Sequence, residues 1–220
     1  MKFFVDSCDI ESIKYWFNIG VGEGITTNPL IIKKQGISDV DSHLIKMVAA
    51  ANGAPVSIQV SGKDRESILK QAKKFASLGE NIVIKVPVVD ADGKSLLPII
   101  KELSDEGYAI NATACMMAPQ AIMAAKAGAR YVSLFFGRIS DQGADPVEQI
   151  ASVRNWIDEV GSDTEIIVGS IRTVFAITSA AIGRPHICTV TPAILQKCTV
   201  HEMSKHTAAE FDNAATKINV

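Results

Sequence analysis

A lysine set in the middle of an apolar run is the most chemically suggestive feature of this 220-residue sequence. In "NIVIKVPVVD" (81–90), Lys85 lies among Val83, Ile84, Val86 and Pro87. An exposed lysine has a pKa of about 10.4, so only about one in two thousand is a free amine at pH 7. Desolvation or a nearby cation lowers that value and frees a nucleophile. A neutral amine facing a polar barrel mouth attacks a sugar ketone, and the protonated imine then accepts electrons from carbon–carbon cleavage. Such cleavage needs a base for a sugar hydroxyl proton, and Asp6, at the end of "KFFVD" (2–6), is the candidate. Each group has a plainer reading. Lys85 could reach out to solvent or pair with Asp6, and Asp6 could cap a helix, although Ser7 and Asp9 are better placed for capping.

Further polar residues stand at the ends of other apolar runs. Thr26 and Asn28 belong to "TTNP", Gln59 and Ser61 follow "PVSI", and Asn111 and Thr113 fall in "INATA". Thr26 and Asn28 can hydrogen-bond sugar hydroxyls, or simply serve the turn that Pro29 stiffens. "FFGR" supplies Phe135 and Arg138, "GSIR" supplies Ser170 and Arg172, and Thr189 and Thr191 end the last run. Two guanidiniums, a hydroxyl and a helix N-terminus make an anion clamp. Surface pairing of these arginines with Asp141 or Asp145 is the competing reading. No metal is expected: His43, His186, His201 and His206 fall on different segments, and the last two are five apart rather than four.

These residues need a frame. Eight short apolar runs, at 2–6, 24–27, 55–60, 81–86, 108–112, 130–135, 165–170 and 186–190, are continuous rather than alternating, as in parallel strands covered on both faces. Amphipathic segments lie between them, at 9–20, 39–53, 63–79, 94–107, 118–128, 145–161 and 172–183. The first spaces Ile10, Ile13 and Phe17 along one helical face, and Pro98 marks an early turn of the fourth. Gly53, Gly79, Gly107, Gly128, Gly161 and Gly183 close most of them and predict left-handed helix caps. Eight strand–helix units in one chain predict an α/β fold, a single (β/α)8 TIM barrel over 1–220, with its site at the carboxyl ends of the strands. A doubly wound open sheet is the competitor, but no GxGxxG opens the first helix. Residues 200–220 form an extra C-terminal helix that caps the barrel or packs on a neighbouring subunit.

Composition narrows the partners. A net charge of −2 gives no reason to expect nucleic acid or an anionic membrane. Apolar runs are too short to span a bilayer, and an acid at position 6 interrupts any signal-peptide pattern. Cys8, Cys115, Cys188 and Cys198 form no CxxC pair and read as reduced, mostly buried thiols of a cytoplasmic protein, with Cys115 a possible pocket-lining residue.

"FFVDSCDI", "GITTNPLII", "NIVIKVPV", "INATACMMAPQAIMAAKAGARYVSLFFGRISDQG" and "IIVGSIRT" together resemble the small transaldolases and fructose-6-phosphate aldolases. The likeness runs from residue 2 to about residue 195. It implies a metal-free, cofactor-free class I enzyme with Lys85 as the Schiff-base lysine and Asp6 as acid/base. Asn28 would assist lysine and substrate, and Thr113 would position a catalytic water. Arg138, Ser170 and Arg172 would grip a terminal phosphate. A homo-oligomer, a pentameric ring or a pair of rings, is implied as well.

The sequence departs from the pattern in places. Gln59 matches the aldolases, where transaldolases usually carry Glu, whereas Phe135 matches the transaldolases, where aldolases carry Tyr. Without a phenol to hold water, Phe135 favours retaining the three-carbon unit on Lys85 for an acceptor aldehyde. "NATACMMAP" places the soft side chains Cys115, Met116 and Met117 where they could reshape a pocket, and Leu134 replaces a usual proline. The expected reaction is dihydroxyacetone transfer between a ketose with an anionic C6 end and an aldose. Alternatives are release of free dihydroxyacetone, action on a sulfonated ketose such as 6-deoxy-6-sulfofructose, and a barrel that binds sugar anions without catalysis.

Overall fold

The computed structural model describes residues 1–62 and 64–218. Eight parallel strands close into a barrel in chain order: β1 (Lys2–Asp6), β2 (Gly22–Thr26), β3 (Val56–Gln59), β4 (Ile82–Pro87), β5 (Ile110–Cys115), β6 (Tyr131–Phe135), β7 (Glu165–Gly169) and β8 (Ile187–Val190). Closure comes from pairing of β1 with β8, Lys2 to Ile187 through Val5 to Val190. Around the barrel run α1 (Ile10–Asn18), α2 (Pro29–Lys34), α3 (Val40–Ala50), α4 (Arg65–Ala76), α5 (Leu97–Asp105) and α6 (Ala118–Lys126). They are followed by α7 (Phe136–Asp141), α8 (Pro146–Val160), α9 (Val174–Ile182), α10 (Pro192–Thr199) and α11 (Glu202–Lys217). Each predicted strand is present. This is a (β/α)8 barrel with an additional C-terminal helix.

Differences from the sequence expectation have local causes. Helices α2, α7 and α10, of six, six and eight residues, are too short to show a helical period and were not anticipated. Strand β5 extends past 112 because its register with β6 shifts between Ala112 and Cys115, with Ala114 at φ +61° taking up the extra residue. Gly53, Gly107, Gly128 and Gly161 have the left-handed φ expected of them. Gly183 does not, at φ −73°, and the left-handed residue is Arg184. Gly183 is needed for packing instead: a Cβ there would lie 2.8 Å from the Ile150 side chain. Gly79 also lacks a positive φ and packs beside Asn81 and Val48. In α1 the buried positions are Ile13 and Trp16, with Ile10 and Phe17 at the half-buried margin. Pro98 sits in the first turn of α5, where its missing N–H leaves no helical bond unmade. Lys63, the first residue of the third amphipathic segment, and residues 219–220 of the expected C-terminal helix lie outside the described residues.

Two apolar regions result. The larger fills the layer between strands and helices. The smaller lies inside the barrel and consists of Phe4, Val83, Tyr131, Ile167 and Ile187, from five different strands. Gly24 of β2 makes room for it, since a Cβ there would meet the Phe4 ring at 2.5 Å. Among the described residues, no helix is long and apolar enough to cross a membrane. Helix α11 has no buried residue and exposes Met203 and Phe211.

Gly24→Ala is expected to lower unfolding free energy by about 1–3 kcal/mol, the usual penalty for overpacking. Urea denaturation checks this, and the loss should shrink in a Phe4→Leu background, where the ring no longer occupies the space.

Candidate active site

Side chains along a strand alternate between its two faces, so residues two apart share one. From the inner apolar layer, two steps toward the carboxyl ends lead from Phe4 to Asp6, Gly24 to Thr26 and Val83 to Lys85. The same two steps lead from Tyr131 to Ser133, Ile167 to Gly169 and Ile187 to Thr189. Those six residues, with Asn28, Phe135, Arg138 and Ser170, line a cavity of about 140 Å³. The barrel interior therefore changes from dry to polar in one layer, and Lys85 stands at that boundary.

Lys85 is only 5% exposed. Its Nζ donates one long hydrogen bond, 3.3 Å, to the Thr27 carbonyl. Burial lowers its pKa below the usual lysine value, and the Asp6 charge only partly opposes this. Asp6 is shifted the other way: burial raises its pKa, against the pull of Lys85 and of a hydrogen bond from Thr26. The two groups face one cavity without a direct ion pair. Both are biased toward their neutral forms, a free amine and a carboxylic acid that can give and take a proton.

A relay of hydroxyls orients Asp6. Thr26 Oγ1 donates to Asp6 Oδ1 at 2.7 Å and lies 2.5 Å from Thr189 Oγ1. The single Thr26 proton goes to Asp6, so Thr189 is the donor in the second contact. Beneath Lys85 a second relay crosses the barrel: Ser133 Oγ donates to Asn111 Oδ1 at 2.6 Å, and Asn111 Nδ2 donates to Ser57 Oγ at 3.1 Å. Helix α1 is capped by Asp9, which accepts from the Ser12 N–H, so Asp6 is free of that duty. Asn28 does cap α2, accepting from the Leu30 and Ile31 N–H groups through Oδ1, and still lines the cavity.

The structure brings together Lys85, Asp6, Thr26, Asn28, Phe135, Arg138 and Ser170. It places five other sequence candidates off this cavity. Asn111 is fully buried below it and reaches it through Ser133. Thr113 is buried beside Pro87 in the register, and its hydroxyl has no hydrogen-bond partner among the described residues. Gln59 is the register neighbour of Lys85, yet with Ser61 it lines an adjoining pocket next to Pro87. Arg172 points outward and forms a two-pronged ion pair with Asp141, at 2.7 and 2.6 Å. Neither Cys115 nor Met116 nor Met117 lines the cavity; Cys115 is buried in the outer layer, with its thiol pushed up to about 12 by burial. Ser133 and Thr189 complete the cavity. Thr189 had been marked only as a strand end, whereas Ser133 was missed inside "RYVSLF" and is betrayed by nothing but its parity with Tyr131 and Phe135.

Two non-glycine residues near the site hold left-handed backbone, Ala114 at φ +61° and Ser170 at φ +59°. Such conformations are uncommon outside glycine and gather at functional sites. Among the described residues, no group of three or more His, Cys, Asp or Glu converges as a metal site would require.

Comparison with known proteins identifies the family of the chain. The family model described as Transaldolase/Fructose-6-phosphate aldolase matches residues 3–219. A probable transaldolase of Roseobacter denitrificans is 36% identical over 211 residues, covering 96% of this chain and 94% of its own. A probable transaldolase of Chelativorans sp. is 39% identical over 206 residues, covering 93% and 91%. Among solved structures, a flavocytochrome b2 variant with sulfite bound superposes with a TM-score of 0.63 at 16% identity. That match covers 87% of this chain and 57% of the flavocytochrome, a likeness of fold alone.

Lys85→Met tests the burial of the amine. Because the folded protein lowers the lysine pKa, wild type loses stability as pH falls from 10.5 toward that lowered value, while the unfolded chain takes up the proton. The variant has no such group. Its melting temperature at pH 7 should equal or exceed that of wild type, with the gap widening from pH 10 to pH 7; a variant less stable at pH 7 than at pH 10, relative to wild type, would contradict the burial.

Proposed function

The chain belongs to the transaldolase/fructose-6-phosphate aldolase family, and we propose that it transfers a dihydroxyacetone unit from a ketose with an anionic C6 end to an aldose, through a Schiff base on Lys85. One observation carries this reading: a buried lysine whose pKa burial lowers shares a polar cavity with Asp6, whose pKa burial raises. Mere sugar binding needs neither. A barrel evolved only to hold an anion gains nothing from a desolvated amine, which weighs against the non-catalytic alternative.

The steps follow from these groups. The Lys85 amine adds to the ketose C2 carbonyl, and Asp6 supplies the proton with which the resulting hydroxyl leaves as water, giving the iminium. Asp6, now a carboxylate, takes the C4 hydroxyl proton as the C3–C4 bond breaks, and the bond electrons pass into the iminium as an enamine. The aldose fragment departs. An acceptor aldehyde then reverses the cleavage: the enamine carbon bonds to its carbonyl carbon, its oxygen receives the Asp6 proton, the iminium is restored, and water releases the product from Lys85. Thr26 and Thr189 keep Asp6 aimed, and Asn28, on the cavity wall, is within the set that meets substrate hydroxyls. In this scheme Thr113 positions the attacking water, with Gln59 and Asn111 supporting it from behind the cavity wall. Arg138 and Ser170, at the rim, receive the anionic end, with Arg172 on the same loop as Ser170; Ser61 follows β3, across the barrel from that end, and meets substrate from the pocket beside Pro87.

Phe135 lines the cavity. Carrying no hydroxyl, it offers nothing to hold a water against the enamine, which favours transfer over release of free dihydroxyacetone. The same reading includes a cytoplasmic, pentameric or decameric assembly, in which the uncovered α11 meets a neighbour, and a single barrel domain for the whole chain.

Borohydride reduction with fructose 6-phosphate should add a covalent mass to Lys85 and stop turnover. No ketose-dependent adduct on the wild-type protein, or an active Lys85→Met, would remove the proposal. Asp6→Asn should retain the fold and lose on the order of 10²–10⁴ in kcat. Phe135→Tyr should shift product toward free dihydroxyacetone when acceptor is withheld, read by coupled assay.

A further inference from the structure

Resting on the reading above, Asp6 has two duties that pull apart. It gives a proton while the imine forms, and it must be a carboxylate when the C3–C4 bond breaks. Burial favours its protonated form, against the Lys85 charge and the Thr26 hydrogen bond. Lys85 of β4 and Arg138 of α7 line the same cavity, and Cys8, two residues on, has a thiol that burial pushes up and keeps neutral. Among the described residues, the one side chain that donates to Asp6 is Thr26, at 2.7 Å.

The strength of that donation is set one step further back. Thr26 Oγ1 lies 2.5 Å from Thr189 Oγ1, and its single proton is committed to Asp6, so Thr189 donates to it. A hydroxyl that accepts a hydrogen bond donates a stronger one. Thr189 and Thr26 stand on β8 and β2, the two strands that flank β1, and both are buried. The branched Thr189 side chain has few rotamers open to it. Its Cγ2 methyl faces Gly169 of β7, where a Cβ would lie 3.4 Å away, while its hydroxyl faces Thr26.

We propose that Thr189 is a positioning residue whose hydroxyl, acting through Thr26, holds Asp6 as the carboxylate that bond cleavage requires. Without that hydroxyl, Thr26 still reaches Asp6 but donates more weakly. The carboxylate is then less favoured, and Asp6 takes up its proton at a higher pH. The acid limb of kcat, which falls as Asp6 is protonated in the bound complex, moves to higher pH with it.

Thr189→Val keeps the shape, deletes the hydroxyl and leaves no buried donor unpaired, whereas Thr189→Ser keeps the hydroxyl. The measurement is kcat for transfer from fructose 6-phosphate to an aldose acceptor, from about pH 5 to about pH 9. The valine variant is expected to lose between about twofold and about tenfold at the acid end, the worth of one hydrogen bond, and to approach wild type at the alkaline end. The serine variant should follow the wild-type profile. A loss equal at every pH, an acid limb that stays or moves to lower pH, or a serine variant that behaves as valine would overturn the proposal. A carbon-13 titration of the Asp6 carboxyl, assigned with Asp6→Asn, reads the same relay without turnover, and its midpoint should rise in Thr189→Val. An unmoved midpoint in a protein that forms the borohydride adduct overturns the role of Thr189 alone. A raised midpoint with no adduct supports the relay and overturns the transfer reaction.

Discussion

Withdrawal of one amine from water governs this molecule. A protonated lysine has three donors to satisfy, and the wall around Lys85 offers it one acceptor, the Thr27 carbonyl, at a long 3.3 Å. Unsatisfied donors on a buried charge are far more unfavourable than a neutral amine in the same place. The closed barrel creates that environment because Val83, one inward step below, belongs to a dry layer of five apolar side chains. Asp6 lines the same cavity without an ion pair to Lys85, yet near enough for its charge to oppose the shift. Balance between burial and that carboxyl, rather than either alone, sets the opposite shifts of an amine and a carboxyl that share one cavity.

Register converts this local balance into a site. Strand pairing sets Lys85 level with Gln59 on one side and Asn111 on the other. Only Lys85 of the three lines the cavity, while Asn111 spans from Ser57 to Ser133 beneath it. A buried polar chain of this kind is stabilising only when every member is paired, and this one is. The Thr189–Thr26–Asp6 relay does the same on the first strand's side. The reacting end of the cavity is thus held by strands and by side chains with single geometries.

Much of this was readable from residue order, for identifiable reasons. Continuous apolar runs separated by amphipathic segments allow few arrangements, and all eight strands fall where those runs lie. Lys85 and Asp6 announced themselves by being ionisable at strand positions where hydrophobic residues are the rule. Features set by distant partners were not readable in the same way. Parity within "INATA" does not say whether Asn111 reaches the cavity or stops beneath it; Ser57 and Ser133, 54 and 22 residues away, decide that. Arg172 pairs with an acid 31 residues earlier, an option the sequence offered beside the anion clamp without choosing between them. Helix α7, which brings Arg138 and Asp141 to one corner, has six residues and no period to detect. "ACMM" resembles pocket chemistry by composition, but the β5 bulge turns Cys115 into the outer layer.

The two ends of the cavity therefore differ in kind. Around Lys85 the contacts are buried, and moving any of them leaves a buried polar group unpaired. At the rim, Arg172 and Asp141 are each about half exposed, and ion pairs in such settings contribute little and exchange readily. Ser170, held at φ +59°, stands where the two regimes meet: its side of the loop lines the cavity and its carbonyl fixes Gly137 of α7. The rim can therefore adjust its ion pairs while the layer around Lys85 keeps one geometry. Such a division lets the α7 corner vary while the barrel keeps the Lys85 amine and the Asp6 carboxyl where it has put them.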